Sequence, residues 1–284
     1  MTAPAAARHY ASARRRIPVF LSTRTCVDLP VGDTLALAEE LGYDGVELWM
    51  DEVVRDPARP ASIARDARSR GLQLSVHAFS YDINPTSVNR GIREESVRQV
   101  LSSLETAAVL GARVVVVHPG VLSSRADRAA DYWEPQLAFF RTVAKRAAEL
   151  GVVACAEQME KIPTKHIFCT AADVNRLRAA LAAEQVAIDY ALDLAHIHTW
   201  GIAVTDFLRD AGLPGHVHCS DASSRKTHEA AIGEGDTDVA AGIAALVRAG
   251  YPHAIAVEGV ARGRARAVAA SNLRIIDAAL AAAG

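Results

Sequence analysis

Short aliphatic segments alternate with longer amphipathic segments along the chain, and eight rounds of this alternation can be counted. The short segments predict strands, and the longer ones, with apolar residues at helical spacing, predict helices. The predicted strands are Ile17–Ser22, Asp44–Trp49, Gln73–Ala78, Arg113–His118, Val152–Glu157, Ala187–Asp193, His216–Ser220 and Ala254–Glu258. The predicted helices are Thr34–Leu41, Ala61–Arg70, Arg93–Leu110, Pro135–Leu150, Ala172–Ala183, Ala203–Ala211, Asp238–Ala249 and a last helix from about Arg264 to Ala283.

This order of elements predicts a single α/β domain, the (β/α)₈ TIM barrel. The 284 residues contain no linker-like break, and several predicted helices end at a glycine such as Gly42, Gly111 or Gly151, a common C-terminal cap. An open doubly wound sheet is disfavoured because no GxGxxG turn follows the first predicted strand. We predict a flexible N-terminal arm at residues 1–16 and a barrel domain at residues 17–284.

Composition narrows the class of protein. The 31 basic and 33 acidic residues nearly balance, which argues against a nucleic-acid partner bound through a global positive field. No apolar run reaches the ~18–20 residues of a membrane span, and the N-terminal stretch lacks the apolar segment of a signal peptide. For these reasons we expect no membrane partner. The 4 cysteines form no CxxC pair, so we also expect no disulfide framework and a cytoplasmic location.

Acidic or histidine side chains stand at nearly every predicted strand end. In a barrel the loops after these ends form one rim around a shared centre. Each such residue alone could cap a helix or donate to a carbonyl, but together they would repel each other or take up protons unless a cation lay among them. The residues are Glu47, His77, His118, Glu157, Asp193, His218 and Glu258.

The stretch HVHCSDASSRKTHEAAIGEGDTD begins at His216 and opens into a polar, Gly-rich loop. His216 and His218 are two positions apart, so both point to one face of a strand, and Asp221 and His228 follow within reach of a common centre. This pattern indicates a metal site, and its alternative is an ordinary loop with one hydrogen-bonded core histidine.

The last four strand-end residues, Glu157, Asp193, His218 and Glu258, form the candidate metal ligands. Carboxylates with one imidazole suit Mn²⁺, Mg²⁺, Co²⁺ or Zn²⁺, and the absence of a thiolate argues against a structural zinc site. We therefore expect one catalytic divalent ion with open coordination positions.

These residues, in this order, resemble the xylose-isomerase-like TIM barrels, the superfamily of sugar isomerases, sugar 3-epimerases, inosose dehydratases and endonuclease IV. The resemblance implies a divalent metal on the four candidate ligands, as in the epimerases, with His196 facing the substrate. Its segments are LGYDGVELW (Leu41–Trp49), VHAFSYDIN (Val76–Asn84), VVVVHPG (Val114–Gly120), CAEQM (Cys155–Met159), LDLAH (Leu192–His196), HCSDAS (His218–Ser223), HEAAIGEGDTD (His228–Asp238) and VEG (Val257–Gly259).

The resemblance leaves the number of metal ions open. His77 and His118 match the pair that in endonuclease IV helps to hold a second zinc with the shared glutamate, here Glu157, but they could instead bind substrate hydroxyls. His196 and His228 match two ligands of that enzyme's third zinc.

The third ligand of that zinc is an aspartate, and this chain has Lys226 in the corresponding stretch. An ammonium group there would repel a cation, which argues against a trinuclear site. Arg225 and Lys226 fit better as donors to a sugar oxygen, a carboxylate or a phosphate, and their alternative is a solvated basic loop.

We therefore expect a metal-dependent isomerase or epimerase of a sugar, sugar derivative or cyclitol in carbohydrate metabolism. The metal would chelate a carbonyl oxygen and a neighbouring hydroxyl, and the resemblance to epimerases implies proton transfer by Glu157 and Glu258 through a metal-stabilised enediolate. The residues predicted to bind substrate are Glu47, His196, Arg225, Lys226 and His228.

Three other functions stay open from the sequence: a lyase or dehydratase on a similar substrate, an endonuclease IV-like phosphodiesterase acting on abasic DNA, and a non-catalytic barrel that binds a metabolite. The predicted partner is a small polyhydroxy carbonyl compound, with assembly into a homo-oligomer as an open alternative.

Overall fold

A closed parallel barrel forms the centre of the chain, which confirms the predicted (β/α)₈ fold. The computed structural model describes residues 9–12, 14–223 and 226–284, and only the backbone of residues 226–229. The strands are β1 (Val19–Ser22), β2 (Gly45–Trp49), β3 (Gln73–His77), β4 (Val114–Val117), β5 (Val153–Glu157), β6 (Asp189–Asp193), β7 (His216–Cys219), β8 (Asp221–Ser223), β9 (Lys226–Ala230) and β10 (Ile255–Val257). Around the barrel they follow the order β1-β10-β7-β6-β5-β4-β3-β2, while β8 and β9 form a separate antiparallel hairpin.

Helices surround the barrel and connect its strands. Within the described ranges no helix is both long and apolar enough to cross a membrane. The prediction missed two short helices that begin directly at strand ends, α2 and α7, as well as the hairpin after β7. The helices are α1 (Val31–Leu41), α2 (Met50–Val53), α3 (Pro60–Ser69), α4 (Arg90–Leu110), α5 (Trp133–Leu150), α6 (Ala171–Ala182), α7 (Leu194–Trp200), α8 (Val204–Ala211), α9 (Val239–Arg248) and α10 (Ala265–Ala283), with a 3₁₀ turn at Ala129–Tyr132.

The lower part of the barrel interior is apolar. Phe20 of β1 points into it and is completely buried. A Cβ on Gly45 would lie 2.6 Å from the Phe20 ring and 2.4 Å from the Gln73 carbonyl oxygen, so β2 must begin with glycine for the aromatic ring to fit. Phe20 is therefore closely packed against the beginning of β2.

Residues 9–12 cross the barrel at the N-terminal ends of its strands. Tyr10 is only 4% exposed, and its ring packs edge-on against Phe20 with centroids 4.8 Å apart. Its hydroxyl donates to the Leu74 carbonyl at 2.8 Å and accepts from the Val114 N–H at 3.0 Å. This part of the predicted arm therefore packs against the barrel, while the domain boundary at residue 17 stays a prediction.

We expect Tyr10→Ala to lower the free energy of unfolding by about 3–5 kcal/mol, because it empties part of the barrel floor. Tyr10→Phe keeps the ring and removes the hydroxyl, which should cost about 1–3 kcal/mol since the Val114 N–H loses its acceptor. Urea-induced unfolding followed by circular dichroism measures both. An unfolding curve of Tyr10→Ala that overlays the unmodified protein would contradict a packed floor.

Candidate active site

A cavity of about 390 Å³ opens at the carboxyl ends of the barrel strands. It is lined by five of the residues that the sequence predicted for the site, namely His118, Glu157, Asp193, His196 and Glu258. Loops after β1, β3, β4 and β5 form its walls, together with Trp49 at the end of β2. This is where barrel enzymes place their chemistry.

The four candidate metal ligands meet at the base of this cavity. Glu157 ends β5, Asp193 ends β6, and these strands are followed around the barrel by β7 and β10. His218 lies on β7, and Glu258 follows β10 directly. One donor atom from each residue lies within 4.8 Å of the others, and all four side chains are buried. The structure thus brings the predicted ligands together.

Three carboxyl groups in this small buried space would repel one another if all were ionised. His218 Nδ1 lies 2.9 Å from Glu157 Oε1 and 3.1 Å from Glu258 Oε2. Burial opposes a charged imidazole, but Glu258, Glu47 and Glu157 raise the pKa of His218 well above its ordinary value. Burial raises the pKa of the Glu258 carboxyl well above its usual range, and Glu47, Glu157 and Asp193 add to this rise. Such oxygen and imidazole donors fit a divalent ion, which would replace the protons.

Glu157 also connects the ligands to a second group of donors. Its Oε2 lies 2.8 Å from His118 Nε2 and 3.4 Å from His77 Nε2. His77 Nδ1 lies 2.8 Å from the Ala78 carbonyl oxygen, so this nitrogen carries the proton and Nε2 is left as an acceptor. Donor atoms of His77, His118 and Glu157 lie within 4.8 Å of one another. The arrangement fits a second ion that shares Glu157.

The two histidines differ in access to the cavity. His77 is completely buried under the Trp49 ring, with centroids 3.9 Å apart. The side chain of His118 is 26% exposed and lines the cavity. A hydroxyl of the substrate could therefore contact His118 but not His77. Of the two roles predicted for His77, metal binding and substrate binding, the burial of the ring leaves metal binding.

Glu47 is not placed where substrate could reach it, in contrast to its predicted role. It is completely buried, with Oε1 3.0 Å from His218 Nε2 and Oε2 2.8 Å from His216 Nε2. Ser75 donates to Oε2 at 3.0 Å. A carboxylate behind an imidazole orients the ring and its proton, so Glu47 is positioned to turn Nδ1 of His218 towards the other carboxylates.

His196 lies on the cavity wall, as predicted. Its Nδ1 lies 2.7 Å from the Gln158 carbonyl oxygen. Burial opposes its charge, but Asp193, Glu157 and Glu160 raise the pKa of His196 to about 9. A positively charged donor therefore faces the cavity beside the candidate ligands.

The loop after β7 differs from the prediction. Asp221 is directed away from a metal centre, because its carboxylate accepts the backbone N–H groups of Gly233 at 2.8 Å and Thr237 at 2.9 Å. It therefore organises the loop. The residue Arg225 and the side chains of Lys226 and His228, which were predicted to bind substrate, lie outside the described residues.

Sequence reasoning missed Trp49, which holds one of the candidate ligands. Its indole N–H donates to Glu258 Oε1 at 2.8 Å, and the guanidinium of Arg24 lies over its ring at 5.0 Å. Trp49 is two positions after Glu47 on β2, so strand alternation places both on the interior face. This spacing could have identified Trp49 from the sequence.

The chain matches a family model described as the xylose isomerase-like TIM barrel over residues 35–279. An uncharacterized protein of Mycobacterium tuberculosis is 32% identical over 235 residues, which cover 76% of this chain and 79% of that protein. A Mycobacterium bovis protein named "Probable endonuclease 4" is 28% identical over 231 residues, 78% of this chain and 87% of that one.

Solved structures of epimerases have the same fold. A D-tagatose 3-epimerase-like protein superposes with a TM-score of 0.76 at 19% identity, covering 92% of this chain and 98% of its own. A 3-keto-D-glucoside 4-epimerase from E. coli gives 0.76 at 19% identity, covering 92% and 99%. At such identities the likeness establishes the fold alone.

We expect the affinity of the metal-free protein for Mn²⁺ to rise with pH, because protons on His218 and Glu258 must leave when the ion binds. The pKa values of both groups are raised above their ordinary values. These ordinary values are about 6.5 for histidine and about 4.3 for glutamate, so proton release should persist at neutral pH. Calorimetric titration in two buffers of different ionisation enthalpy measures the released protons. An affinity that does not change between about pH 5.5 and 8 would contradict this view of the site.

Glu47→Gln should weaken divalent-metal binding about 10- to 100-fold, because the charged acceptor behind His218 is lost while the side-chain size is kept. Ser75→Ala is the matched control, since it removes a contact to Glu47 but leaves the carboxylate. Competition with a fluorescent chelator measures both affinities. Equal affinities of Glu47→Gln and the unmodified protein would rule out an orienting role for Glu47.

Proposed function

The chain belongs to the xylose isomerase-like TIM barrel family, and we propose that it is a divalent-metal-dependent isomerase or epimerase of a sugar, sugar derivative or cyclitol. The observation that supports this reaction most directly is a pair of buried carboxylates at the ends of different barrel strands. Glu157 and Glu258 both approach His218 Nδ1, at 2.9 Å and 3.1 Å. The names of the epimerases with the same fold agree with the proposal.

Each carboxylate has one oxygen held and one directed to the shared centre. Glu157 Oε2 contacts His118 Nε2 at 2.8 Å, and Glu258 Oε1 accepts the Trp49 indole N–H at 2.8 Å. The other oxygen of each, Oε1 and Oε2 respectively, faces His218. Two fixed carboxyl groups are what inversion at carbon needs, because an ionised one removes a proton from one face and a protonated one delivers its own proton to the opposite face.

A bound divalent ion would supply the positive charge that polarises a substrate carbonyl and makes the adjoining C–H more acidic. Glu157, Asp193, His218 and Glu258 would hold this ion. His196, with a pKa of about 9, would donate to a substrate oxygen as a charged hydrogen-bond donor.

The size of the cavity favours a small substrate. Its volume of about 390 Å³ lies in the range that proteins use for small-molecule ligands. A phosphodiesterase that acts on abasic DNA is the second candidate, because a relative is named for that activity and because His77, His118 and Glu157 could hold a second ion. The net charge of −2 argues against it, since DNA binding depends on neutralising phosphates.

We expect the Mn²⁺-loaded protein to exchange one substrate C–H for deuterium in heavy water when it is given D-fructose, D-tagatose, D-psicose or L-ribulose. Glu157→Gln and Glu258→Gln should each reduce this exchange at least about 10²-fold, because each removes a proton-transfer group. His198→Asn, a change on α7 outside the cavity, should leave it unchanged. Mass spectrometry and carbohydrate chromatography follow both exchange and product.

The products distinguish the alternatives. A product of unchanged mass in ordinary water supports isomerisation or epimerisation, whereas loss of one water indicates a dehydratase. Full activity after exhaustive chelation would contradict the metal-dependent mechanism. Rapid incision of an abasic duplex, weakened steeply by salt, would establish the second candidate instead.

A further inference from the structure

Two buried titratable residues line the cavity outside the candidate metal ligands. Glu160 is 3% exposed and His166 is 5% exposed. His166 Nε2 lies 3.1 Å from Glu160 Oε1, and Glu160 Oε2 lies 3.7 Å from His196 Nε2. The three side chains thus form a continuous polar strip along one wall, which we call the imidazole wall (His166, Glu160, His196).

The backbone holds His166 in place without help from its side chain. The His166 N–H donates to the Ile162 carbonyl at 2.8 Å, and His166 forms an antiparallel bridge with Val121 in the loop after β4. Leu122 donates to the Lys165 carbonyl at 2.9 Å. The loops after β4 and β5 are therefore joined, and the ring of His166 is presented to the cavity from a fixed position.

The ring itself has unused hydrogen-bonding capacity. Neither nitrogen of His166 makes an aligned hydrogen bond within the part of the chain that the structure describes, although Nε2 is near Glu160. Buried polar atoms are nearly always paired in folded proteins. Nδ1 has no such neighbour among the described residues, and a buried imidazole that lines a cavity with this nitrogen unpaired indicates that a ligand completes its bonding.

We propose that His166, supported by Glu160, binds a hydroxyl group of a neutral polyhydroxy substrate, at a position separate from the candidate metal ligands. The inference rests on the proposed function, because it takes the substrate to be a sugar or polyol. It adds a second recognition point and a constraint on the chemistry of the substrate.

The protonation of the pair fits a hydroxyl. Burial opposes ionisation of Glu160, but His166 and His196 hold its pKa below the ordinary value, and burial lowers the pKa of His166 although Glu160 opposes this. An ionised carboxylate next to a neutral imidazole requires the proton on Nε2, which faces Glu160, and leaves Nδ1 as an acceptor. Nδ1 would accept a bond from a substrate O–H.

The same charge disfavours an anionic group at this point. A phosphate or carboxylate at His166 would lie close to the buried, ionised Glu160, and like charges repel strongly where water is excluded. A hydroxyl avoids this repulsion. His196, which lies 3.7 Å from the other oxygen of Glu160, offsets part of this charge, so the preference for a neutral group applies at the ring of His166.

The test uses the Mn²⁺-loaded protein with two kinds of probe, the four ketoses named above and the polyols D-mannitol and D-sorbitol, which have no carbonyl group. His166→Phe keeps an aromatic ring and removes both nitrogens, and we expect it to weaken binding about 3- to 10-fold, as expected for one hydrogen bond. His166→Asn restores a polar atom near the Nδ1 position and should recover part of the affinity. His198→Asn is the matched histidine control and should bind as the unmodified protein does.

A second readout is independent of turnover. In the protein loaded with diamagnetic Mg²⁺ and labelled with ¹⁵N-histidine, the ring nitrogens of His166, assigned through His166→Asn, should shift when a probe is added, and Glu160→Gln should change the His166 tautomer signal. His166→Asn and Glu160→Gln preserve side-chain size, so the test stays decisive if His166→Phe does not fold.

The outcomes separate this inference from the proposed function. Binding that weakens in His166→Phe while the unmodified protein shows no deuterium exchange would support the inference and reject the proposed reaction. The opposite result is also informative. If the unmodified protein exchanges deuterium, but His166→Phe has an unchanged KM and the His166 signals do not shift, the inference is overturned and the proposed reaction is retained. If no probe shifts the His166 signals, the inference is likewise overturned.

Discussion

The position of Glu157 determines what the rest of the site must supply. The residue is 1% exposed, with one carboxylate oxygen 2.9 Å from His218 and the other 2.8 Å from His118. A buried carboxylate stays ionised only when positive charge or strong donors face it. Burial opposes the charge of Glu157, yet the two imidazoles hold its pKa well below the ordinary value. Positive charge or hydrogen-bond donors must therefore face both oxygens of this residue.

The surroundings of the histidines fix their ring nitrogens. Glu47 lies behind His218, and the carbonyl of Ala78 accepts from His77 Nδ1. In each case one nitrogen is committed away from the cavity and the other faces Glu157. This is the orientation that metal-binding histidines need, so the buried polar groups below the site act on its chemistry through the rings above them.

Along the barrel axis, the residues that stabilise the fold lie below the residues of the candidate site. The lower part of the interior is filled by Phe20 and closed by Tyr10, whose ring and hydroxyl are both buried. Its upper part contains the ionisable groups. A barrel of eight strands has just enough interior for side chains to fill it. Substitutions at the floor should therefore change the free energy of unfolding, whereas those at the rim should change metal and substrate binding.

Strand periodicity was sufficient to predict the fold and to place the four candidate ligands together at one rim, because parallel strands in a barrel bring their carboxyl ends to the same side. It did not predict the depth of Glu47. Glu47 pairs in register with Ser22 and Ser75, and β2 continues to Trp49, so Glu47 lies one interior layer lower than the strand ends. That depth depends on the stagger between neighbouring strands, and the alternation of residues within one strand gives no information about this stagger.

His166 and Glu160 could not be predicted by periodicity, because the segment that contains them has no regular secondary structure. Their direction comes from backbone bonds to the loop after β4, a contact distant in sequence. The candidate ligands come instead from the ends of β5, β6, β7 and β10. The candidate metal ligands and the proposed hydroxyl-binding residue thus lie on different parts of the barrel, and loops can change without disturbing the candidate ligands. For this reason family membership points to a type of reaction, and the loop residues decide which molecule undergoes it.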